Sequence, residues 1–277
     1  RSWKEAHRKL CSDYNKLFDE EKEALCNLPE EMVSLMRGYL WHYGANKDDP
    51  FHGWEVIATE LMLECEWPDG NGLYRCKIDA LVRDQYGLAI VDHKTHNEIP
   101  DNTFRLLDHA SLRYIWCAQE NGHNVNRFIW NYIRAKGPTK PQLVYANTKN
   151  PRISTRTIDT DYPTFLKAVK EYGLDLSVYK ERLKQLKAQR WNPDTVQSSP
   201  FFRRDSLDRD DEVITRILAA SMRTRDDMHS YVWDDSTERI VDRSCRWCEY
   251  EKLCTTELFG GDSDRIRRLN FKQANPL

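Results

Sequence analysis

Two stretches of this chain place ionisable residues inside apolar runs. They are Lys77-Ile78-Asp79-Ala80-Leu81-Val82 and Ala89-Ile90-Val91-Asp92-His93-Lys94-Thr95. Side chains alternate along a strand, so Asp92 and Lys94, at i and i+2, project from one face. Asp79, on a strand paired with theirs, reaches that same face. Two carboxylates bind Mg²⁺ or Mn²⁺ through oxygen and leave positions for water and a phosphate. The ion polarises the phosphate and helps deprotonate the water. An ammonium beside them orients that water or offsets negative charge developing in the transition state. The competing reading is a surface hairpin bearing an ion pair, which is common and weak. An Asp-x-Lys that closes an apolar strand, with Ile-Asp across a turn from it, is more specific than that.

A second constellation is Cys245-Arg-Trp-Cys248-Glu-Tyr-Glu-Lys-Leu-Cys254. Thiolates at this spacing can converge on one metal centre without long-range folding. Three of them with one further ligand would satisfy tetrahedral Zn²⁺, so zinc competes with an iron–sulfur cluster. The other five cysteines, Cys11, Cys26, Cys65, Cys76 and Cys117, are scattered through apparent helices and strands. That distribution fits a reducing, cytosolic setting better than a disulfide scaffold.

The elements that must position these residues can be placed from periodicity. Helices are expected over 3–26 and 30–43, with the polar loop 45–50 separating them from a run of strands. Strands are expected over 54–67, 74–83 and 88–94, the last two joined by the Gly-containing connection Asp84-Gln85-Tyr86-Gly87 as an antiparallel hairpin. A helix over 102–121, closed by Gly122, leads to a strand over 128–135. Residues 161–190 read as helical with an interruption near Gly173, and 208–229 as an amphipathic helix, with Pro200-Phe201-Phe202-Arg203-Arg204 between them. Helices, a small sheet, a helix, a strand and more helices make a mixed α/β core with helical additions.

Composition bounds the partners. The chain has 277 residues, and 42 Lys and Arg against 44 Asp and Glu give a net charge of −2. Nucleic-acid contact must therefore come from a local patch, for which Arg203, Arg204 and the tail Arg265-Ile-Arg267-Arg268 are candidates. A mean hydropathy of −0.78 and the lack of a long apolar run argue against a membrane-spanning helix. The chain opens on Arg1 rather than Met, so a segment upstream of this numbering is expected.

The Asp79 and Asp92-His93-Lys94 pattern resembles the PD-(D/E)XK nuclease superfamily, in particular its RecB-like and AddB-like branch, which includes CRISPR-associated Fe–S exonucleases. By that resemblance His7, in Trp3-x-x-x-His7-x-x-Leu10, corresponds to a metal-binding histidine on the N-terminal helix, and Glu60 to an additional glutamate of the branch. Glu64 and Glu66 compete with Glu60 on the same strand parity. The branch's Gln-x-x-x-Tyr motif is matched at Tyr114, with Ala110 in place of the glutamine; His109, Ser111 or Arg113 are candidates to take over its DNA contact. Cys245, Cys248 and Cys254 match the three C-terminal ligands of a 4Fe–4S cluster. Its fourth ligand is expected upstream of Arg1, with Cys11 as the fallback. The segments 131–141, 158–160 and 201–204 resemble a bacteriophage-encoded group.

The resemblance implies a restriction-endonuclease-like core, a small mixed sheet flanked by helices. The implied division is a helical segment at 1–50, the nuclease core at 51–140, helical additions at 141–240, and a cluster segment with a basic tail at 241–277. It implies a metal-dependent DNA exonuclease acting on single-stranded or free ends, in a bacterial or phage-infected cytoplasm, with recombination or replication proteins as partners. The alternatives are a catalytically silent DNA-binding or scaffold subunit of a recombination or adaptation complex, and a zinc-ribbon interaction protein.

Overall fold

The computed structural model describes residues 3–25, 28–44, 54–100, 105, 108–147, 149–154, 158–191, 199–230 and 243–271. The chain divides into two compact units, residues 1–224 and 225–277. The first is built on five strands: β1 (Glu55–Glu66), β2 (Leu73–Asp84), β3 (Gly87–His96), β4 (Val125–Arg134) and β7 (Phe202–Asp208), in the order β1-β2-β3-β4-β7. Neighbours are antiparallel except β3 and β4, which run parallel. A parallel pair cannot be closed by a hairpin, and α4 (His109–Glu120) lies in the crossover that joins them. A two-stranded ribbon, β5 (Leu143–Val144) with β6 (Arg152–Ile153), stands apart from this sheet.

Alternation divides the sheet's side chains between two layers. On one face Ile90, Phe128, Trp130 and Tyr132 pack with Leu112, Ile115 and Trp116 of α4, and with Ile214 and Leu218 of α7 (Asp211–Ser230). On the other, Ala89, Val91 and Ile129 are buried, while Ile133 and Phe202 pack with Leu35, Tyr39 and Tyr43 of α3 (Leu28–Tyr43). This is a mixed sheet between helices, as expected. The 3–26 helix is two helices, α1 (Trp3–Asn15) and α2 (Asp19–Leu25). The 161–190 stretch is α5 (Tyr162–Glu171), a 3₁₀ turn (Leu176–Tyr179) and α6 (Lys180–Ala188). Of the 102–121 helix, 109–120 is helical, capped by the Asp108 side chain, and 102–104, 106 and 107 lie outside the described residues. The largest departure is 202–204. Read as a link between helices, it is part of β7, because the fully buried Phe201 and Phe202 anchor it beside β4.

The α3 layer sits close to α5. A Cβ built at Gly38 would meet Asp161 Oδ2 at 2.3 Å and the Phe202 ring at 3.3 Å. Asp161 is buried and caps α5 through the Thr164 N–H at 2.9 Å, so it cannot withdraw without uncapping that helix. Gly38→Ala should therefore cost about 1–3 kcal/mol of stability, read as a fall in the urea midpoint. An unchanged midpoint would show that the contact has slack.

Candidate active site at the β2–β3 splay

The β2–β3 ladder runs from Asp84↔Gly87 to Ala80↔Val91 and ends there. On the other edge, every residue of β2 from Leu73 to Arg83 has a β1 partner except Asp79. The β1 residue facing that gap is Glu60, whose φ of 53° lies in the left-handed region. Ile78 and Leu81 share the core against α4, whereas Ala80 packs on the opposite face. Strict alternation is thus broken at Asp79–Ala80. Beyond the last β2–β3 pair, the His93 N–H needs a new acceptor, and Asp79 Oδ2 supplies it at 2.8 Å.

Asp92 and Lys94 share the parity of buried Ile90 and so lie on the α4 face. Lys94 Nζ is 2.7 Å from Asp92 Oδ2, with side chains 40% and 15% exposed. Burial pushes the Asp92 carboxyl above the ordinary carboxylate range; Lys94 opposes this, and the nearby charges of Asp79 and Asp108 add to it. Burial works against the Lys94 ammonium too, but its contact with Asp92 and the fields of Asp92 and Asp79 outweigh that and hold its pKa above the usual value. Both partners shift upward because Asp92 is the more buried and faces two further carboxylates. Around Asp92 the electrostatics are short of positive charge. That imbalance is what a divalent cation would relieve, and Asp79 and Asp92 are the oxygen donors present to hold one. Among the described residues, no three His, Cys, Asp or Glu side chains converge into a metal-holding group.

Tyr114 faces the same region. Burial raises its pKa first and the Asp92 charge next, while its ring also packs on Phe128 at 6.2 Å. Glu60 is 62% exposed and forms an ion pair with Lys77. Glu64 pairs with Arg75, and it is the strand register that makes Glu60 the β1 carboxylate facing the Asp79 gap. Ala110 donates its N–H to Asp108 Oδ1 at 3.2 Å in the first turn of α4.

The structure does not bring His7 to these carboxylates. Its helix packs against α3, and His7 lines a cavity of about 590 Å³ with Cys11, Arg37, Lys136, Lys140 and Thr164, while Asp79, Asp92 and Lys94 do not line it. Cys11 Sγ is 3.5 Å from His7 Nε2.

The arginines assigned to nucleic acid each have contacts within the fold. Arg113 donates to Ser221 Oγ at 3.3 Å. Arg203 pairs with Asp205 at 3.0 Å and lies over the Tyr132 ring. Arg204 lies 3.7 Å from the ring centroids of both Tyr43 and Trp54 and donates to Asn131 and Tyr39.

In the second unit, Cys245 lies in a 3₁₀ turn (Arg243–Trp247), Cys248 follows it, and Cys254 is on α8 (Glu251–Leu258). The Cys248 N–H donates to the Cys245 carbonyl at 3.2 Å. These three thiols share one short segment, and among the described residues they are not gathered into a metal-holding group. The described cysteines, Cys11, Cys65, Cys76 and Cys117 among them, form no disulfide.

A family model for the PD-(D/E)XK nuclease superfamily matches residues 4–255. The chain belongs to that superfamily. Membership implies a metal-dependent nuclease, and the five-stranded mixed sheet between helices is consistent with a PD-(D/E)XK core. No curated protein matches the chain. Among solved structures it is similar to the crystal structure of SSO0001, at 16% identity over 60% of this chain and 68% of that one. The TM-score of 0.23 is too low for that likeness to carry an argument.

Three further residues shape this candidate site. Asp108 caps α4 through its side chain, and its charge reaches Asp92. His93 was the unspecified residue between Asp92 and Lys94, yet its backbone holds Asp79. Asn131 is a fully buried amide within Phe128-Ile-Trp-Asn-Tyr-Ile133, an otherwise apolar strand, and a polar residue in such a run signals a specific hydrogen-bond partner.

Proposed function

We propose that this nuclease is a DNA exonuclease, with Asp79 and Asp92 holding Mg²⁺ or Mn²⁺, Lys94 assisting the attack of water, and single-stranded or free ends as substrate. The observation that carries the reading is the carboxylate cluster at the β2–β3 splay, where the half-buried Asp92 lies in the field of Asp79 and is matched by one ammonium. A bound divalent ion supplies Lewis acidity to a phosphate oxygen and lowers the pKa of its water. The chain supplies the rest. Asp92 and Asp79 fix the donors, and Lys94, half-exposed beside Asp92, sits where it can orient the water or meet charge developing on the phosphate. Tyr114 stands on the α4 side, within the field of Asp92 and Lys94. Glu60 faces the Asp79 gap from β1. Recombination or replication proteins would deliver the DNA ends.

The test is a cleavage assay with end-labelled linear single strands, linear duplex and circular single strands, in Mn²⁺, Mg²⁺ or EDTA. Progressive shortening of linear DNA, abolished by EDTA, with circles left intact, is the expected result. Cut circles would replace exonuclease with endonuclease, and metal-independent or absent cleavage would overturn the reading.

A 4Fe–4S cluster on Cys245, Cys248, Cys254 and a fourth thiolate belongs to the same proposal, supported by the cysteine spacing. Its role would be structural. Protein purified without oxygen should be brown and absorb broadly at about 400 nm, as thiolate-ligated clusters do; colourless protein carrying stoichiometric zinc would assign the thiols to Zn²⁺ instead.

A further inference from the structure

We infer that Asn131, oriented by Arg204, is a positioning residue that holds the Asp79 carboxylate in place through His93. This rests on Asp79 being a metal-holding carboxylate.

The chain of contacts lies on the α3 face of the sheet, behind the Asp92–Lys94 face. His93 and Asn131 are register partners on the parallel pair β3–β4. Asn131 Nδ2 is 2.8 Å from His93 Nδ1 and donates to Tyr39 Oη at 3.1 Å. On its other side, Asn131 Oδ1 accepts from Arg204 Nε at 3.3 Å. An arginine has no acceptor, so Arg204 can meet only the amide oxygen. That fixes which way the amide faces and turns its NH₂ group to His93. The amide nitrogen is donor only, so His93 Nδ1 accepts and the ring proton sits on Nε2. Arg204 is itself held between the rings of Tyr43 and Trp54 and donates to Tyr39 Oη at 3.0 Å.

The need for such a brace follows from the splay. At His93 the β2–β3 ladder has ended, and the Asp79 carboxylate stands in for the missing backbone partner. The direction of the His93 N–H then decides where Asp79 Oδ2 sits. Pinning the His93 ring to a fully buried amide limits rotation of that residue, and with it the drift of Asp79. Partners behind a metal ligand typically alter metal affinity about 10–100-fold when removed.

The experiment is Mn²⁺ titration followed by calorimetry and by electron paramagnetic resonance, without substrate, alongside kcat at saturating Mn²⁺. Asn131→Asp keeps the shape and the Arg204 contact but loses the donor to His93; Asn131→Leu loses both. Both should weaken Mn²⁺ binding about 10–100-fold, with kcat largely restored once Mn²⁺ saturates. Arg204→Met, which frees the amide to flip, should weaken binding less, and adding it to Asn131→Leu should cost nothing further. Leu186→Ala, in a separate core cluster, should lower the melting temperature without moving Mn²⁺ affinity. Asp79→Asn should abolish binding. If Asp79→Asn does so and the Asn131 variants bind Mn²⁺ as the parent does, or weaken only in step with lost stability, the brace is overturned. If Asp79→Asn leaves binding intact, it is the assignment of the metal site that fails.

Discussion

Replacing Lys94 by Met should lower metal-dependent cleavage by about 10²–10³-fold or more, and Asp92→Asn should do the same. Their effects on stability should differ in sign, which separates lost chemistry from lost folding. Burial and two neighbouring carboxylates make the charged form of Asp92 unfavourable even beside Lys94. Its folded pKa is raised, so its contribution to stability is full below the unfolded carboxylate value near about 3.9 and is lost as pH rises through the folded value. Asp92→Asn removes that loss and should raise the melting temperature at pH 7 relative to the parent, with the difference vanishing towards acid pH. Lys94→Met withdraws the nearest cation and should lower the melting temperature at pH 7, recovering on acidification. Paired melting curves at pH 5 and pH 8, with single-turnover cleavage at pH 8, check both. Cleavage retained in either variant removes these residues from the reaction.

The largest loss of stability is expected at the opposite end of the hairpin. Arg127 Nη2 is 2.5 Å from Asp84 Oδ1, with side chains 10% and 12% exposed. Asp84 also accepts from the Tyr86 N–H at 2.8 Å, and Arg127 donates to the Gly87 carbonyl at 3.3 Å. This pair binds the β2–β3 turn to the start of β4, across the sheet's parallel junction. Arg127→Met leaves the Asp84 carboxylate, only 12% exposed, without its cation, and should cost about 3–5 kcal/mol. Adding Asp84→Asn should return most of that loss, because the penalty is the stranded charge rather than the missing attraction. Chemical denaturation of the two single variants and the double variant measures it. A double variant as unstable as Arg127→Met alone would refute that account.

Local geometry made part of the site legible. Asp92 and Lys94 share a face because a strand's period is two, and the Gly-containing connection 84–87 closes an antiparallel hairpin that brings Asp79, one step past the last paired residue, to the His93 N–H. Those relations need only neighbouring residues, so the residues themselves announce them. The same holds for the C-terminal end of α4, which the Gly122 stop marks.

Periodicity misleads where the alternation breaks. Applied without interruption it puts Asp79 and Ile78 on opposite faces and gives no sign of the unpaired step opposite Glu60. It also leaves 202–208 without a partner, because the apolar signal there is two phenylalanines followed by charge.

What the chain determined by itself was the kind of chemistry: two carboxylates and a lysine on adjoining strands, drawn from side-chain types and a two-residue repeat. Tertiary structure alone decided which groups hold them. Asn131 and Arg204 stand 73 positions apart and meet only once β7 docks on β4, while His7, on a helix packed against α3, is carried to a cavity that Asp79, Asp92 and Lys94 do not line. Contacts of that separation depend on which long loops close and which faces bury, a free-energy balance over the whole fold that no short pattern of residues encodes.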